Sequence, residues 1–338
     1  MRIRNRWIKL TTFSFVIALI LTFIKLPFYI TQPGMATEIK PMVEVEGGYI
    51  DQGTFALTTV RIGRANVFSY LWAQTQPFYE TYPVEDVKYE GESDEEYIER
   101  QIHMMESSQQ SAVLVAYKAA NKDVSIHNKG VRIMQVIEGM PAEEVLKNGD
   151  IIKQVDGQSI QSADDFIAYV KTKNKGDQVL LEIDREGDAQ SVTVEVAPFP
   201  DDPEKSGIGI SLVTERNIET SPSITLNTED IGGPSAGLMM SLEIYNQLTE
   251  DDVTKGRKIA GTGTINENGE VGPIGGIAQK VVAAHEAGME IFFAPNEEGI
   301  KQSNYEEALK TAKEINTTMK IVPVDTFDDA LSYLQQAQ

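Results

Sequence analysis

Chemistry in this sequence concentrates on one serine and one lysine. Ser235 stands in "IGGPSAGLMMSL" (231–242), where two glycines and a proline precede an apolar run that reads as a helix. Pro234 suits the first helical turn, because its fixed φ matches the helix and the N–H it lacks would go unsatisfied there. Gly232 and Gly233 let the backbone turn sharply and approach a ligand. The N–H groups of Gly232, Gly233 and Ser235 would then converge with the positive end of the helix dipole beside the Ser235 hydroxyl, an arrangement that stabilises an oxyanion. Gly-Pro-Ser is also an ordinary helix start, so a nucleophile needs a proton acceptor. Lys280 offers one. In "GIAQKVVAAHEAG" it sits among Ile277, Val281 and Val282, and desolvation on an apolar face moves a lysine pKa from about 10.4 toward neutrality. A neutral amine accepts a serine's proton. The alternative keeps the Lys280 head in solvent. His285, five residues further along the same predicted helix, is the rival base, with plain packing as its other reading.

Composition narrows the chemistry further. The 338 residues allow two domains and a tail. With 51 acidic against 30 basic residues and a formal charge of −21, the chain repels phosphate backbones, which argues against nucleic acid as a partner. The absence of cysteine excludes disulfides, thiolate-held zinc and a thiol nucleophile. Three histidines without an HExxH pattern disfavour metalloprotease chemistry, and no GxxxxGK[ST] phosphate loop occurs. No metal, cofactor or ATP is expected.

The elements that must position Ser235 and Lys280 are legible along the chain. "MRIRNRWIKL" is a basic head on an apolar run from Leu10 to Ile30. That run has the length of a spanning helix, with the basic side held in the cytoplasm and the body outside. Residues 1–36 are therefore expected to be a cytoplasmic head and membrane anchor; the alternative is a secretory signal cut near Ala36, where Gly34 and Ala36 supply small residues. From about Pro41 to Val60 the pattern predicts two strands around a glycine turn. Apolar spacing from Tyr97 to Tyr117 predicts a helix entered through the capped acidic "GESDEE". After the joint "FPDDPEKSG" come two strands, "IGISLV" and "SITLNT", and then the Ser235 turn. Strands and helices alternate from Lys258 to the end, with an Asn-Gly hairpin signal in "NENGEV" and Gly288 as a helix stop. An α/β or α+β architecture is expected.

Two resemblances add to this reading. Residues 123–200, through Gly130-Val131, Met140-Pro141-Ala142, Gly149-Asp150-Ile151-Ile152, Val155-Asp156-Gly157 and the helix Ala163–Lys173, resemble a PDZ domain of the bacterial protease-associated kind. Such domains add a peptide strand to a sheet edge and seize a terminal carboxylate. On this reading the binding loop is expected at Asn121, Lys122, Asp123, Val124 and Ile126; the alternative is a PDZ used only as a spacer. "GPSAG" followed by "GTGTI", "GPIGGIAQKVVAAHEAG", "IFFAPNEE" and "KIVPVDTFDDAL" resembles the proteolytic domain of the Lon family. The resemblance implies Ser235 as nucleophile, Lys280 as general base and then acid, and Thr262 as the residue that hydrogen-bonds and orients the lysine. Lon proteases usually carry an acid three positions before the serine, where this chain has Gly232.

The whole order resembles the membrane-anchored PDZ-Lon serine peptidases of Gram-positive bacteria, the SepM and YlbL type. It implies an ATP-independent serine endopeptidase acting on extracytoplasmic peptides or proteins, with homo-oligomers up to a hexamer. The competing reading is a non-catalytic PDZ adaptor at the membrane surface. Only about 30 residues separate Ser206 from Ser235, too few for the strands and helix that precede the serine in Lon-type domains. The PDZ (123–200) is therefore expected as an insertion between a first peptidase part (40–122), which holds "GTFALTTV" and "MMESSQQSAVLVAYKAAN", and a catalytic part (205–338).

Overall fold

The computed structural model describes residues 12, 13, 15, 19, 21–50, 52–89, 92–200, 202–203, 205–228 and 231–336. The chain forms two compact units: one from residues up to Asp123 together with those from Ser221 onward, the other from Val124 to Thr220.

The first unit opens with β1 (Lys25–Glu38), β2 (Val43–Val45), β3 (Thr54–Asn66), α1 (Val67–Ala73), β4 (Glu80–Pro83) and α2 (Asp94–Ala119). The 26-residue α2 starts at a capping box, in which Ser93 Oγ accepts from the Glu96 N–H and Glu96 accepts from the Ser93 N–H, satisfying two orphan donors at once.

The second unit follows with β5 (Asp123–Val136), β6 (Ile151–Val155), β7 (Gln158–Ser159), α3 (Ala163–Val170), β8 (Gln178–Arg185), β9 (Asp188–Glu195), β10 (Ala197–Pro198), β11 (Ser206–Gly207) and β12 (Ile210–Ser221). Its sheet runs β12-β5-β6-β8-β9, with β7 on β6. Val131, Ile133, Ile152, Leu181 and Ile183 from the strands pack with Phe166 and Val170 of α3. Asp150, 1% exposed at its side chain, takes both Arg185 bonds at 2.7 and 2.6 Å, the bidentate geometry that compensates a buried carboxylate.

The first unit resumes with β13 (Ile224–Leu226), α4 (Gly237–Leu248), β14 (Lys258–Gly261), β15 (Thr264–Ile265), β16 (Val271–Gly272), α5 (Ile277–Glu286), β17 (Ile291–Pro295), α6 (Asn304–Glu314), β18 (Lys320–Val324) and α7 (Phe327–Gln336). Its mixed sheet has the order β18-β17-β14-β3-β1-β4. The β18, β17, β14 and β3 pairs are parallel and the pairs on β1 antiparallel. Residues 55–58 of β3 are buried on both faces, as expected for a strand inside a covered parallel sheet. On one face Ala56, Ala260 and Phe292 meet Ile277, Val281 and Ala284 of α5 and Ala308 of α6. The site lies past the carboxyl end of β14, the customary place for ligands in open α/β sheets, and beside Thr58 within β3.

Four expectations change. The apolar run does not continue as a span to Ile30: from Lys25 it is β1, paired with β3 over Lys25↔Asn66 to Glu38↔Ala56. A continuous apolar stretch reads alike as span or buried strand. Cleavage near Ala36 would divide that strand, since Ala36 pairs with Thr58. β2 pairs with β13, not with β3. "IGISLV" belongs to the second unit, because β12 pairs with β5, so that unit extends beyond residue 200 and the later part of the first begins at Ser221. Much of the expected anchor falls outside the described residues. Among those described, no helix is long and apolar enough to cross a membrane.

Candidate active site and peptide groove

Ser235 lies in a 3-10 turn, Pro234–Ala236, that leads into α4. Its backbone is clamped from the end of β14: the Ser235 carbonyl accepts from the Gly263 N–H at 2.9 Å and from Thr262 Oγ1 at 3.0 Å. From the other side α2 holds the turn. Ser108 Oγ donates to the Pro234 carbonyl at 2.8 Å, and the Gln101 carbonyl accepts from the Gly233 N–H at 2.8 Å. Gln101, Met105 and Ser108 fall on one stripe of that helix. A Cβ at Gly232 would come within 2.8 Å of the Gln101 Cβ, so an acid at this position would have to displace the turn from α2.

Lys280 is 3% exposed. Its Nζ lies 3.0 Å from Ser235 Oγ and donates to the Thr58 carbonyl at 2.5 Å. Gly276, the left-handed residue that caps α5, makes this placement: a Cβ there would meet Val60 at 2.7 Å. No carboxylate among the described residues shifts the amine. Burial alone lowers its pKa from the ordinary 10.5 to about 7, because an ammonium is costly to desolvate. At neutral pH much of Lys280 is thus a free amine within hydrogen-bond reach of a hydroxyl, the geometry of a general base on a serine nucleophile.

The described residues depart from the expected roles at two points, Thr262 and Gly233. Thr262 bonds the Ser235 carbonyl and not the lysine; the partner that orients Lys280 is the backbone carbonyl of Thr58 on β3. The Gly233 N–H is occupied by Gln101, whereas the Gly232 and Ser235 N–H groups have no acceptor among the described residues. His285 is exposed at the end of α5, with Nδ1 2.9 Å from Thr317 Oγ1, and does not line the Ser235 cleft. The cleft, about 650 Å³, is walled by Met35, Leu57, Val60, Met105, Ile231 and Ile274 among others, and among the described residues Lys280 is the one charged side chain that lines it. No cluster of His, Asp or Glu among the described residues could hold a metal.

Ser108, which no motif marks, is a positioning residue. Ser108→Ala frees the Pro234 carbonyl and should lower kcat about 10-fold with little change in KM, given the steep dependence of rate on small misplacements. Steady-state kinetics on one peptide checks this.

In the second unit a groove of about 520 Å³ opens between α3 and residues 206–212, lined by Phe166, Ile167, Val170, Ile208, Ile210 and Leu212. β12 is the sheet edge, and the N–H groups of Ile208 and Gly209 bond nothing among the described residues. An extended peptide can add there and set its carboxylate on those N–H groups. Asn121, Lys122, Asp123, Val124 and Ile126 lie elsewhere: the first two follow the C-cap of α2, the others belong to the start of β5, and none lines the groove. The missed signal was Gly207-Ile208-Gly209-Ile210, a Gly-rich loop read as an ordinary strand.

Residues 228–336 match the family model of the Lon protease (S16) C-terminal proteolytic domain, and residues 107–196 match the PDZ domain model. The chain is 41% identical over 100 residues to the Lon protease of Campylobacter concisus, covering 29% of this chain and 11% of that protein. It is 37% identical over 102 residues to that of Campylobacter jejuni, covering 30% and 12%. The PDZ domain of the SdrC-like protein of Listeria monocytogenes is 31% identical, with 26% of this chain and 93% of that one covered at a TM-score of 0.24. The chain thus spans about a tenth of the length of the curated relatives it matches.

Proposed function

We propose that this chain, which carries a Lon-type proteolytic domain and a PDZ domain, is a serine endopeptidase that works through a Ser235–Lys280 dyad without ATP. The observation that carries this reading is the 3.0 Å contact between Ser235 Oγ and the buried Nζ of Lys280. Ser235 Oγ attacks the scissile carbonyl as Lys280 takes its proton. The Ser235 and Gly232 N–H groups receive the oxyanion, with Gly233 joining once its N–H leaves Gln101. Lys280 then returns the proton to the leaving amine, and water repeats the cycle on the acyl-enzyme. Because the described residues give the cleft apolar walls and no charge besides Lys280, peptides with apolar residues at the cut are the favoured substrates.

The groove beside β12 presents substrate by its carboxy-terminus. The basic head and apolar run ahead of Lys25 support an anchored chain with its catalytic body outside the cytoplasm. The resemblance of the proteolytic segment to the Lon family implies a homo-oligomer. The protein incubated with an unstructured polypeptide, with and without ATP, should release fragments at the same rate in both, and its Ser235→Ala variant none. An absence of fragments over a range of substrates in both conditions would instead favour the adaptor reading.

A further inference from the structure

An apolar face that has no partner among the described residues lies where the N-terminal run joins the fold. α1 exposes Phe68 at 44% and Leu71 and Trp72 at 60% each, at i, i+3 and i+4 on one side of the helix. Its other side fixes it: Ala73 is buried, and Tyr70 packs on Phe28 of β1 at 5.1 Å between ring centroids. Asn66 and Ser69 close a reciprocal cap at 2.8 and 2.9 Å. The face is therefore presented by a held element and not by a loose loop. The register Lys25↔Asn66 sets the first residue of β1 beside the residue that caps α1. The run leaves the fold at that point, with Phe23 78% exposed.

Charge singles out the same place. In a chain with 51 acidic residues, none occurs before Glu38 and none between Gln52 and Tyr79. Lys25, Arg61 and Arg64 are exposed there. The acids at the margin are engaged: Asp94 by Lys88, Tyr29 and Lys25, and Glu80 by Tyr82.

We propose that α1 lies in the interface of the bilayer that holds the N-terminal run, with Phe68, Leu71 and Trp72 at the acyl boundary and Lys25, Arg61 and Arg64 against anionic headgroups. The proposal rests on the anchored reading above. Aromatic side chains beside basic ones are the make-up of an interfacial helix. A rim whose only acids at its margin, among the described residues, are held in ion pairs or hydrogen bonds is what approach of a strongly acidic protein to an anionic surface demands. Two attachments close together, the run and α1, restrict how the body turns above the membrane.

The test uses the fact that the chain has two tryptophans, Trp7 and Trp72. The full chain with Trp7→Phe is placed in vesicles of phosphatidylcholine and phosphatidylglycerol, plain or brominated along the acyl chain, and vesicle flotation and Trp72 emission are both read. Flotation with Trp72 blue-shifted and at least 2-fold quenched by the brominated lipid is expected. Adding Leu71→Asp should keep flotation and remove most of the quenching. Flotation with unquenched Trp72 overturns the proposal while leaving the anchor intact, and assigns the face to a second copy or another protein. Quenching that Leu71→Asp leaves undiminished also overturns it, because Trp72 would then reach lipid without the helix face. Failure to float removes anchor and proposal together.

Discussion

The Lys280→Met protein is expected to lose peptide cleavage and to gain stability. Methionine matches the lysine stem but has no proton acceptor, so kcat should fall by about 10⁴-fold or more, as removal of one member of a catalytic unit does. The stability gain has a separate cause. Burial lowers the Lys280 pKa from 10.5 to about 7; at about 1.4 kcal/mol per unit this is a cost of roughly 4 kcal/mol at pH 7. An unsatisfied Thr58 carbonyl takes back about 1–3 kcal/mol, leaving a net gain of about 1–3 kcal/mol. Because the folded pKa lies below the unfolded one, the unfolded chain binds the proton more tightly between about pH 7 and 10.5. Stability of the wild type should therefore rise with pH across that window, and that of Lys280→Met should not. Urea unfolding at pH 7 and at pH 9.5 measures both slopes. A variant less stable than wild type at pH 7 would show that the lysine is comfortably charged and hydrated.

A fragment that begins at Ser221 should neither fold nor cleave, although it contains Ser235, Lys280 and the whole of the matched proteolytic segment, 228–336. β3 lies between β14 and β1 in the sheet, and without it the inner edge of β14 is a bare template for pairing. The fragment also lacks the Thr58 carbonyl that holds the lysine and the Gln101 and Ser108 contacts that hold the serine turn. Supplying residues 25–123 as a second chain should restore a cooperative unfolding transition and part of the activity. Cooperative unfolding and cleavage by the Ser221–Gln338 fragment alone would contradict this.

Ser235 and Lys280 could be read from sequence because each sits in a local signature: glycines and a proline before an apolar helix, and a lysine inside an apolar stripe. Their partners could not. Thr58 acts through its backbone, which no side-chain pattern advertises, and Gln101 and Ser108 act across more than 120 residues of chain. Thr262 fell in the right neighbourhood but on another atom, the Ser235 carbonyl in place of the amine. In the second unit, order along the chain misled. The Gly207–Ile210 loop follows the elements it completes, whereas the expectation placed it before them. The strand Lys25–Glu38 was hidden for a physical reason: β1 enters the sheet directly from an apolar run, and hydrophobicity alone does not mark where one ends.

The most direct test of the central claim is the pH dependence of kcat/KM for cleavage of one soluble peptide by the wild-type protein, from pH 5 to pH 10. If the Lys280 amine is the base, kcat/KM rises tenfold per pH unit at low pH and levels with a midpoint near the lysine's value of about 7. A profile flat across pH 6–8, or one still rising at pH 9–10 as an ordinary lysine would give, contradicts it.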